Sequence, residues 1–355
     1  MSQRLACSVH LSIAIAAACL AAPCAAEEKA PAAADFAFAD KAGECLDILF
    51  NGKPVARYVY AFDKSAPARL TETCKPFLHV FDAEGKGIIT NGPSGNFPEK
   101  ALYPHHRGIF IGWQKIGMDG KTVNLWEMKD GVQVHEKFLD EKAGPNGATF
   151  TSKVAWNLND GKPVIEEERT MALQARPAPG MLVIDFTSKL KSAAGDLVLN
   201  GDPEHGGVQY RPANDLDKKE TKYCLPKDAV DSHLDPSAEW HVMKYEEPGK
   251  TDKDGKPLAV EIKKIEKTDL PWAAMSYVYA GKRYVVEDLS HPGNPKGTLW
   301  SAYRDYGRFG AFPKVDLKAG ETLTLRYRFL VSQGDLPTRD ALQKEYDAYA
   351  NAAEK

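Results

Sequence analysis

The 355-residue chain lacks the short motifs that mark several familiar protein classes. It has no Cys-x-x-Cys spacing, which argues against a thiolate zinc site or a thioredoxin-like centre. A Gly-x-Ser-x-Gly elbow, a phosphate-binding P-loop and a glycine-rich dinucleotide turn are also missing. Basic residues form no massed run, so we expect no nucleic-acid partner. After the first 26 residues no apolar run approaches the roughly 20 residues of a transmembrane helix.

The amino terminus has the pattern of an export signal. Arg4 precedes an apolar stretch at residues 11–22, and Cys24-Ala25-Ala26 provides small residues of the kind that a signal peptidase reads. We predict a signal peptide at residues 1–26, and therefore a periplasmic or secreted protein. An uncleaved anchor and acylation of a cysteine in the signal are the alternatives.

Three cysteines follow the predicted signal, which allows at most one disulfide. Cys45 and Cys74 are the candidate pair in an oxidising compartment, with Cys224 left over. Residues 27–40 are rich in alanine and charged residues at their start, and we predict a flexible lead-in there.

Turn signals separate short alternating segments along most of the chain. Asn51-Gly52, Asp119-Gly120 and Asp130-Gly131 are dipeptides that tight hairpin turns favour. Between such turns, segments like residues 321–332 alternate apolar and polar side chains, as in a strand with one buried face. The pattern predicts an all-β, mainly antiparallel fold, with a single large β-sandwich at residues 41–336.

Helical spacing is clear only near the carboxyl end. Thr338 follows Pro337 and can cap a helix, after which apolar residues recur every three or four positions at Ala341, Leu342, Tyr346 and Tyr349. We predict a short helix within residues 337–355. Residues 221–246 fit neither period and are predicted to be an irregular insertion.

The first of three segments with chemically useful side chains spans residues 103–113, with 124–127 after it. It contains two adjacent histidines and an arginine, together with two indoles: His105, His106, Arg107, Trp113 and Trp126. Histidine transfers protons near neutral pH, arginine binds carboxylates or paired hydroxyls, and indole stacks on apolar ligand faces. Alternatively, the histidines bond backbone carbonyls and the tryptophans fill the core.

The second segment, residues 200–214, pairs a carboxylate with an imidazole. Glu204 and His205 have the composition of a general acid–base pair. The glycines that follow let a backbone approach closely, and Gln209 and Arg211 would share one face of the next strand. A polar loop closed by a glycine turn is the alternative.

The third segment, residues 291–313, interleaves aromatic rings with arginines after His291. Its chemically useful side chains are Trp300, Tyr303, Arg304, Tyr306 and Arg308. Such a set suits a carbohydrate or polyanion cleft, and equally suits cross-strand pairs on a half-exposed sheet.

A metal site is compatible with the composition but not indicated by spacing. The histidines and Glu204 are adequate ligands for zinc or another divalent ion. However, the chain has neither a His-x-x-x-His nor a His-x-His pair. We assign no metal ligands, and the cofactor stays unknown, with a divalent metal as the alternative.

The three segments resemble motifs of a family of exported bacterial proteins catalogued as PmoA, or as a domain of unknown function. The resemblance rests on HHRGIFIGW with NLWE, on DPEHGGVQYRP and on HPGNPKGTLWSAYRDYGRFG, and covers roughly residues 75–330. The family's first motif usually begins His-Pro, where this chain has Tyr103-Pro104. The PmoA label refers to a methane oxygenase subunit, which needs several transmembrane helices. Because the sequence after residue 26 predicts none, we do not expect that activity.

The resemblance implies a role in polysaccharide or glycoside breakdown. It also implies a sandwich like those of galactose mutarotases and some polysaccharide lyases. Our leading hypothesis is therefore an exported carbohydrate-active enzyme, an epimerase, lyase or hydrolase, acting on a sugar or modified glycoside. A non-catalytic carbohydrate-binding protein and a metal-dependent oxidoreductase are the alternatives.

Each candidate residue has an expected role in this hypothesis. His205 would be the general acid or base with Glu204 as its partner, and His105 or His106 the second proton-transfer group or a metal ligand. Substrate binding is expected of Arg107, Trp113, Trp126, Gln209, Arg211, His291 and Arg304.

Overall fold

The computed structural model describes residues 35–94, 101–201, 204–230, 237–242, 244–251, 253, 255, 257–261 and 265–353. The predicted signal peptide and residues 27–34 of the predicted lead-in lie outside this part. Within it, no helix combines the length and the apolar composition needed to cross a membrane.

The described residues are organised mainly as strands. The first eleven are Phe36–Lys41 (β1), Cys45–Phe50 (β2), Lys53–Val59 (β3), Phe77–Val80 (β4), Ile109–Trp113 (β5), Lys115–Met118 (β6), Lys121–Val123 (β7), Gly131–Gly144 (β8), Gly147–Leu158 (β9), Pro163–Ala175 (β10) and Gly180–Ser192 (β11). The next eleven are Leu197–Asn200 (β12), Gly206–Tyr210 (β13), Asp217–Cys224 (β14), Lys244–Thr251 (β15), Pro257–Glu261 (β16), Trp272–Tyr279 (β17), Lys282–Ser290 (β18), Leu299–Ser301 (β19), Gly310–Phe312 (β20), Val315–Leu317 (β21) and Thr322–Gln333 (β22). Two α-helices are Pro67–Thr73 (α1) and Arg339–Ala353 (α2), and a 3₁₀ turn is Lys227–Ala229.

Two large sheets form the sandwich. One has the strand order β1-β2-β3-β4-β5-β13, and the other has the order β14-β17-β18-β22-β11-β10-β9-β8. A four-stranded sheet (β21-β12-β6-β7) and two strand pairs (β15-β16 and β19-β20) complete the set. Neighbouring strands pair antiparallel, as in the central β11–β22 ladder. The predicted fold class, a mainly antiparallel β-sandwich with a carboxyl-terminal helix, is confirmed.

The core lies between the two large sheets, as the sequence alternation predicted. On β22, Leu325, Tyr327 and Phe329 are buried, whereas Arg326 is exposed. Their partners across the core include Leu46 and Ile48 of β2, in the same cluster of buried apolar residues. One buried face on each sheet accounts for the two-residue period.

Hairpin turns occur where positive φ angles are available. Asn51 and Gly52 have φ values of 52° and 76°, and Asp119 and Gly120 have 48° and 72°. Both turns were predicted. At the predicted Asp130-Gly131 turn the positive φ lies instead at Met128 (60°), because the Asp130 carboxylate accepts a 2.7 Å bond from the Asn124 amide and closes a wider loop.

Three local predictions need correction. Residues 36–40 belong to β1 rather than to a flexible lead-in, because they pair with β2 and the Phe36 and Phe50 rings lie 4.8 Å apart. The predicted irregular insertion at residues 221–246 begins inside β14, and its residues 231–236 and 243 lie outside the described part. Helix α1 was missed because it has only seven residues and no apolar period.

The carboxyl-terminal helix and the cysteines have separate outcomes. The Thr338 hydroxyl accepts a 3.2 Å bond from the Ala341 amide, which is the predicted cap of α2. Cys45, Cys74 and Cys224 are all buried free thiols, so the structure does not contain the candidate disulfide between Cys45 and Cys74.

A buried ion pair on β10 connects the second sheet to the segment that precedes β4. Arg169 and Glu167 of β10 are fully buried and form two hydrogen bonds, of 2.9 and 2.7 Å. Arg169 also donates to the Pro76 carbonyl (3.0 Å), and the Trp156 indole donates to Glu167 (2.8 Å). Because buried charges are tolerated only with such partners, this network fixes the second sheet against the segment that leads into β4.

Burial of the His79 imidazole on β4 should make the stability of the fold sensitive to acid. Burial lowers its pKa to about 4, whereas an unfolded histidine binds a proton near pH 6.5. Between those values the unfolded state binds more protons, so stability falls as the pH drops below about 6.5. Between pH 7 and pH 5, the free energy of unfolding of the wild type should fall by about 2 kcal/mol more than that of His79→Gln. Urea unfolding at the two pH values measures both changes. Equal losses in both proteins would contradict the assignment.

Candidate functional site

The three predicted segments meet at one edge of the first sheet. Strands β5 and β13 are antiparallel neighbours, with Gly206 opposite Trp113 and Tyr210 opposite Ile109. Past the end of β13, the Arg211 amide donates 2.7 Å to the Gly108 carbonyl. Tyr210 also forms a bridge with Phe309, next to β20. The ladder therefore brings the motifs around residues 105, 205 and 305 together.

Trp126 is the ring around which these side chains assemble. Its centroid lies 5.6 Å from that of His106 and 5.8 Å from that of His205, both edge-on, and the Arg308 guanidinium is 5.8 Å from the ring. Tyr306 stacks on His106 at 6.2 Å. We call the following residues the central cluster: Asn91, His106, Trp126, His205, Arg211, Tyr306 and Arg308.

Trp126 is held in place by its own loop and by a buried lysine. The Asn124 side chain accepts bonds from the amides of Trp126 (3.1 Å) and Glu127 (2.9 Å). Lys75 donates 2.6 Å to the Trp126 carbonyl, and its ammonium lies over the Phe110 ring at 4.6 Å. Burial lowers the pKa of Lys75 to about 7, and the nearby Arg107 charge acts in the same direction.

The Glu204 carboxylate is the anionic centre of the third segment's arginines. It accepts bonds from Arg304 Nε and Arg308 Nη2 (both 2.9 Å), from the Tyr303 hydroxyl (3.1 Å) and at a longer distance from Ser301. Burial alone would raise the pKa of Glu204, but the Arg304 bond and the Arg308 charge hold it below its ordinary value. These contacts favour a positioning role, whereas the sequence had suggested acid–base partnership with His205.

Several buried polar atoms of the central cluster have no hydrogen-bond partner within the described structure. They are Asn91 Oδ1, both ring nitrogens of His106, Trp126 Nε1, Nε and Nη2 of Arg211, and Nε of Arg308. An unpaired buried polar atom costs about 1–3 kcal/mol. Such atoms concentrated around one indole therefore mark a place where a polar ligand would complete the hydrogen bonding.

The adjacent histidines His105 and His106 are held neutral. Burial lowers the pKa of His106 well below its ordinary value, and the charges of His105 and Arg308 add to the effect. His105 is partly exposed beside it, with ring centroids 4.3 Å apart. Its pKa is also lowered, first by burial and then by the Lys75 charge. A neutral imidazole presents one donor and one acceptor nitrogen, so both can take part in proton transfer.

Four residues predicted to bind substrate have other partners. Trp113 is buried in the core, where its indole donates 3.1 Å to the Pro313 carbonyl. Arg107 donates to the backbone carbonyls of Glu72 (2.7 Å) and Thr71 at the end of α1.

The remaining two of those four have equally specific contacts. Gln209 donates a hydrogen bond of 3.1 Å to the Ala311 carbonyl and accepts one of 2.8 Å from Arg308, so it positions that arginine. His291 accepts from the Gly293 amide (2.9 Å), and its ring faces Tyr349 of α2 at 6.0 Å. We therefore move Trp113, Arg107, Gln209 and His291 from ligand contact to structural or positioning roles.

Other members of the site were not assigned from sequence. Tyr306 and Arg308 stood in the third segment but could not be separated from ordinary cross-strand pairs. The amide of Asn91 donates a 2.7 Å hydrogen bond to the His106 carbonyl. This residue follows a short segment of isolated bridges at Ile88 and Thr90, which has no distinguishing sequence pattern. Lys75 offered one signal, a lone charge between Cys74 and Pro76 in an otherwise apolar stretch.

The described side chains do not form a metal centre. Within this part of the chain, no group of three or more His, Cys, Asp or Glu residues is arranged to hold a metal ion. His105 and His106 are adjacent, but Glu204 is bound by arginines instead of being turned towards them. The described donors at this place are therefore not arranged around a common metal position.

Fold and site together define the class: a mainly antiparallel β-sandwich with a cationic, histidine-bearing cluster around a buried indole. The chain belongs to the family of unknown function DUF6807, which matches residues 45–347. The match carries neither the PmoA label nor any indication of export. A comparison with curated proteins gives no match.

Solved structures with a similar fold share little sequence with this chain. A heparan sulfate lyase from Pedobacter heparinus has a TM-score of 0.40 at 8% identity, covering 83% of this chain and 36% of that one. A protein assigned as a kojibiose phosphorylase from the human microbiome has 0.32 at 8%, covering 85% and 32%. One assigned as an aldose 1-epimerase from Escherichia coli K12 has 0.31 at 8%, covering 84% and 99%.

The similarity to these three structures is low. The chain spans about a third of the length of the first two proteins. Since all three TM-scores are below 0.5, the activities of these proteins say nothing about the reaction of this one.

The Glu204 contacts predict a large stability cost for its neutralisation. Glu204→Gln leaves the buried Arg308 without its counter-charge, and we expect a loss of about 2 kcal/mol or more in the free energy of unfolding. The matched control is Asp196→Asn, which removes an exposed ion pair with Lys318 and should cost less than about 1 kcal/mol. Equal costs in urea unfolding would show that Glu204 does not organise the site.

Proposed function

We propose that this protein is an exported carbohydrate-active enzyme that uses histidine acid–base chemistry on a sugar or modified glycoside. The observation that supports the proposal most is the set of unpaired buried polar atoms around Trp126. Sugars present many hydroxyl groups that donate and accept at once, which suits donors on Arg211 and Arg308 beside the Asn91 acceptor. The aromatic rings of Trp126 and Tyr306 suit the apolar face of a sugar ring.

His106 and His205 are the proposed proton-transfer pair. Their rings approach Trp126 at 5.6 and 5.8 Å, so a ligand seated against that indole would lie within reach of both. A neutral His106 can accept a proton, and an anionic ligand or transition state would raise its pKa towards the working range of a general base. The arginines would stabilise negative charge that develops on the substrate.

Epimerase, lyase and hydrolase chemistry are all compatible with two histidines and a cationic site. The non-catalytic alternative, a carbohydrate-binding protein, uses the same rings and arginines but needs no proton transfer. It therefore predicts that saturable sugar binding survives loss of either histidine and that the bound sugar is recovered unchanged.

A turnover screen with histidine variants tests the proposal. The purified protein is incubated with neutral, acidic and 3-keto sugars and their oligosaccharides, and products are followed by NMR. On any substrate found, His205→Gln and His106→Gln should lower kcat/KM by about 10²- to 10⁴-fold, the usual contribution of a general acid or base. His291→Gln is the matched control, because that residue contacts α2 instead, and it should retain wild-type rates.

The outcomes separate the alternatives. Wild-type rates in both His205→Gln and His106→Gln would rule out histidine acid–base chemistry at this cluster. Binding without turnover, unchanged in the two variants, would favour the carbohydrate-binding protein.

A further inference from the structure

Arginines in this chain bind carboxylates in one repeated way. In four of them, Nε and Nη2, the two donors on the same edge of the guanidinium, both bond one carboxyl group. The pairs are Arg57–Asp47, Arg169–Glu167, Arg304–Glu204 and Arg328–Asp185. The planar edge matches the two oxygens of a carboxylate, which gives such pairs both strength and a fixed orientation.

Arg211 has the same edge, and no described residue forms a hydrogen bond with it. Its guanidinium is fully buried, and neither Nε nor Nη2 has a hydrogen-bond partner within the described structure. The third nitrogen, Nη1, donates to the Tyr306 carbonyl, and the guanidinium lies over the Tyr306 ring at 5.0 Å. Two contacts from one residue therefore fix the plane of the guanidinium and leave its bidentate edge free.

Within the described part of the chain, no carboxylate is hydrogen-bonded to Arg211. Burial lowers its pKa to about 10, and the Arg308 charge contributes in the same direction. The nearby Glu204 carboxylate is already bonded by Arg304 and Arg308. A buried guanidinium in such surroundings is stabilised by an anion that brings its own negative charge into the site.

We propose that the Nε–Nη2 edge of Arg211 binds the carboxylate of a sugar acid, so that the substrate class is a uronate or a uronate-containing saccharide. The inference rests on the proposed function, because it names the substrate of the same site. His106 and Arg211 both pack on the Tyr306 ring, and Asn91 and Trp126 contact His106. The unpaired atoms of Asn91, His106 and Trp126 are available to the hydroxyls of the same sugar. Sulfate-bearing sugars share the negative charge but not the planar, two-oxygen match.

The test compares each acid with its own ester. Binding of methyl glycosides of D-glucuronate and D-galacturonate, of their uronic methyl esters, and of glucose 6-sulfate is measured by titration calorimetry on the full chain. The ester keeps the sugar and removes the charge. A bidentate charge-assisted pair predicts that the acid binds about tenfold or more tightly than the ester. Equal affinity, or a preference for the sulfate, would overturn the inference without requiring any variant.

A conservative variant locates the preference. Arg211→Lys keeps the positive charge but loses the planar edge, and should reduce the preference for acid over ester to less than about threefold. The matched control, Arg328→Lys, alters an arginine whose edge is already on Asp185 and should keep the full preference. An unchanged preference in Arg211→Lys would place the carboxylate elsewhere.

The same experiment separates this inference from the proposed function. Acids and esters bound equally, and turned over with dependence on His106 and His205, would remove the uronate assignment and keep the carbohydrate-active enzyme. Absence of binding to every sugar, neutral or acidic, would remove both.

Discussion

Burial of guanidinium groups is the constraint on which this structure depends. Arg107, Arg169, Arg211 and Arg308 are all among the fully buried side chains, and each must replace the water that it loses. Arg169 does so with Glu167, Arg308 with Glu204 and Gln209, and Arg107 with the carbonyls at the end of α1. Arg169 also bonds the Pro76 carbonyl, and the contacts of Arg107 and Arg308 join parts of the chain that are distant in sequence, so these arginines fix how the sheets and loops meet.

Arg211 has more unpaired donors than any other of these four arginines within the described structure. Its Nε and Nη2 have no hydrogen-bond partner among the described residues. The same holds for both nitrogens of His106, which lies beside it against Tyr306. Other unpaired buried side-chain atoms lie on β18 and β22, at Glu287, Asp288, Tyr327 and Gln333. Those of the central cluster belong to residues that pack together, and a polar ligand bound there would complete their hydrogen bonding.

The sequence predicted the fold better than it predicted the site. Alternation on β11 and β22 is a local property, and it specified the buried face because a strand has only two faces. It also identified the three motifs that the β5–β13 ladder brings together. The sequence did not show whether a given side chain serves the fold or the candidate site. Arg107 and Arg211 each lie beside a candidate motif, but Arg107 caps a helix and Arg211 packs on Tyr306 in the central cluster. Lys75 and Asn91 depend on contacts more than a dozen residues away, which no local pattern records.

The central claim is that the unpaired atoms of His106, Trp126, Arg211 and Arg308 form one ligand site. A crystal structure of the protein with a bound sugar acid tests it most directly. We expect the sugar to lie against the Trp126 ring, with its carboxylate within about 3 Å of both Nε and Nη2 of Arg211. A sugar bound instead in the cavity between α2 and the second sheet, of about 240 Å³, with the central cluster unchanged, would contradict it.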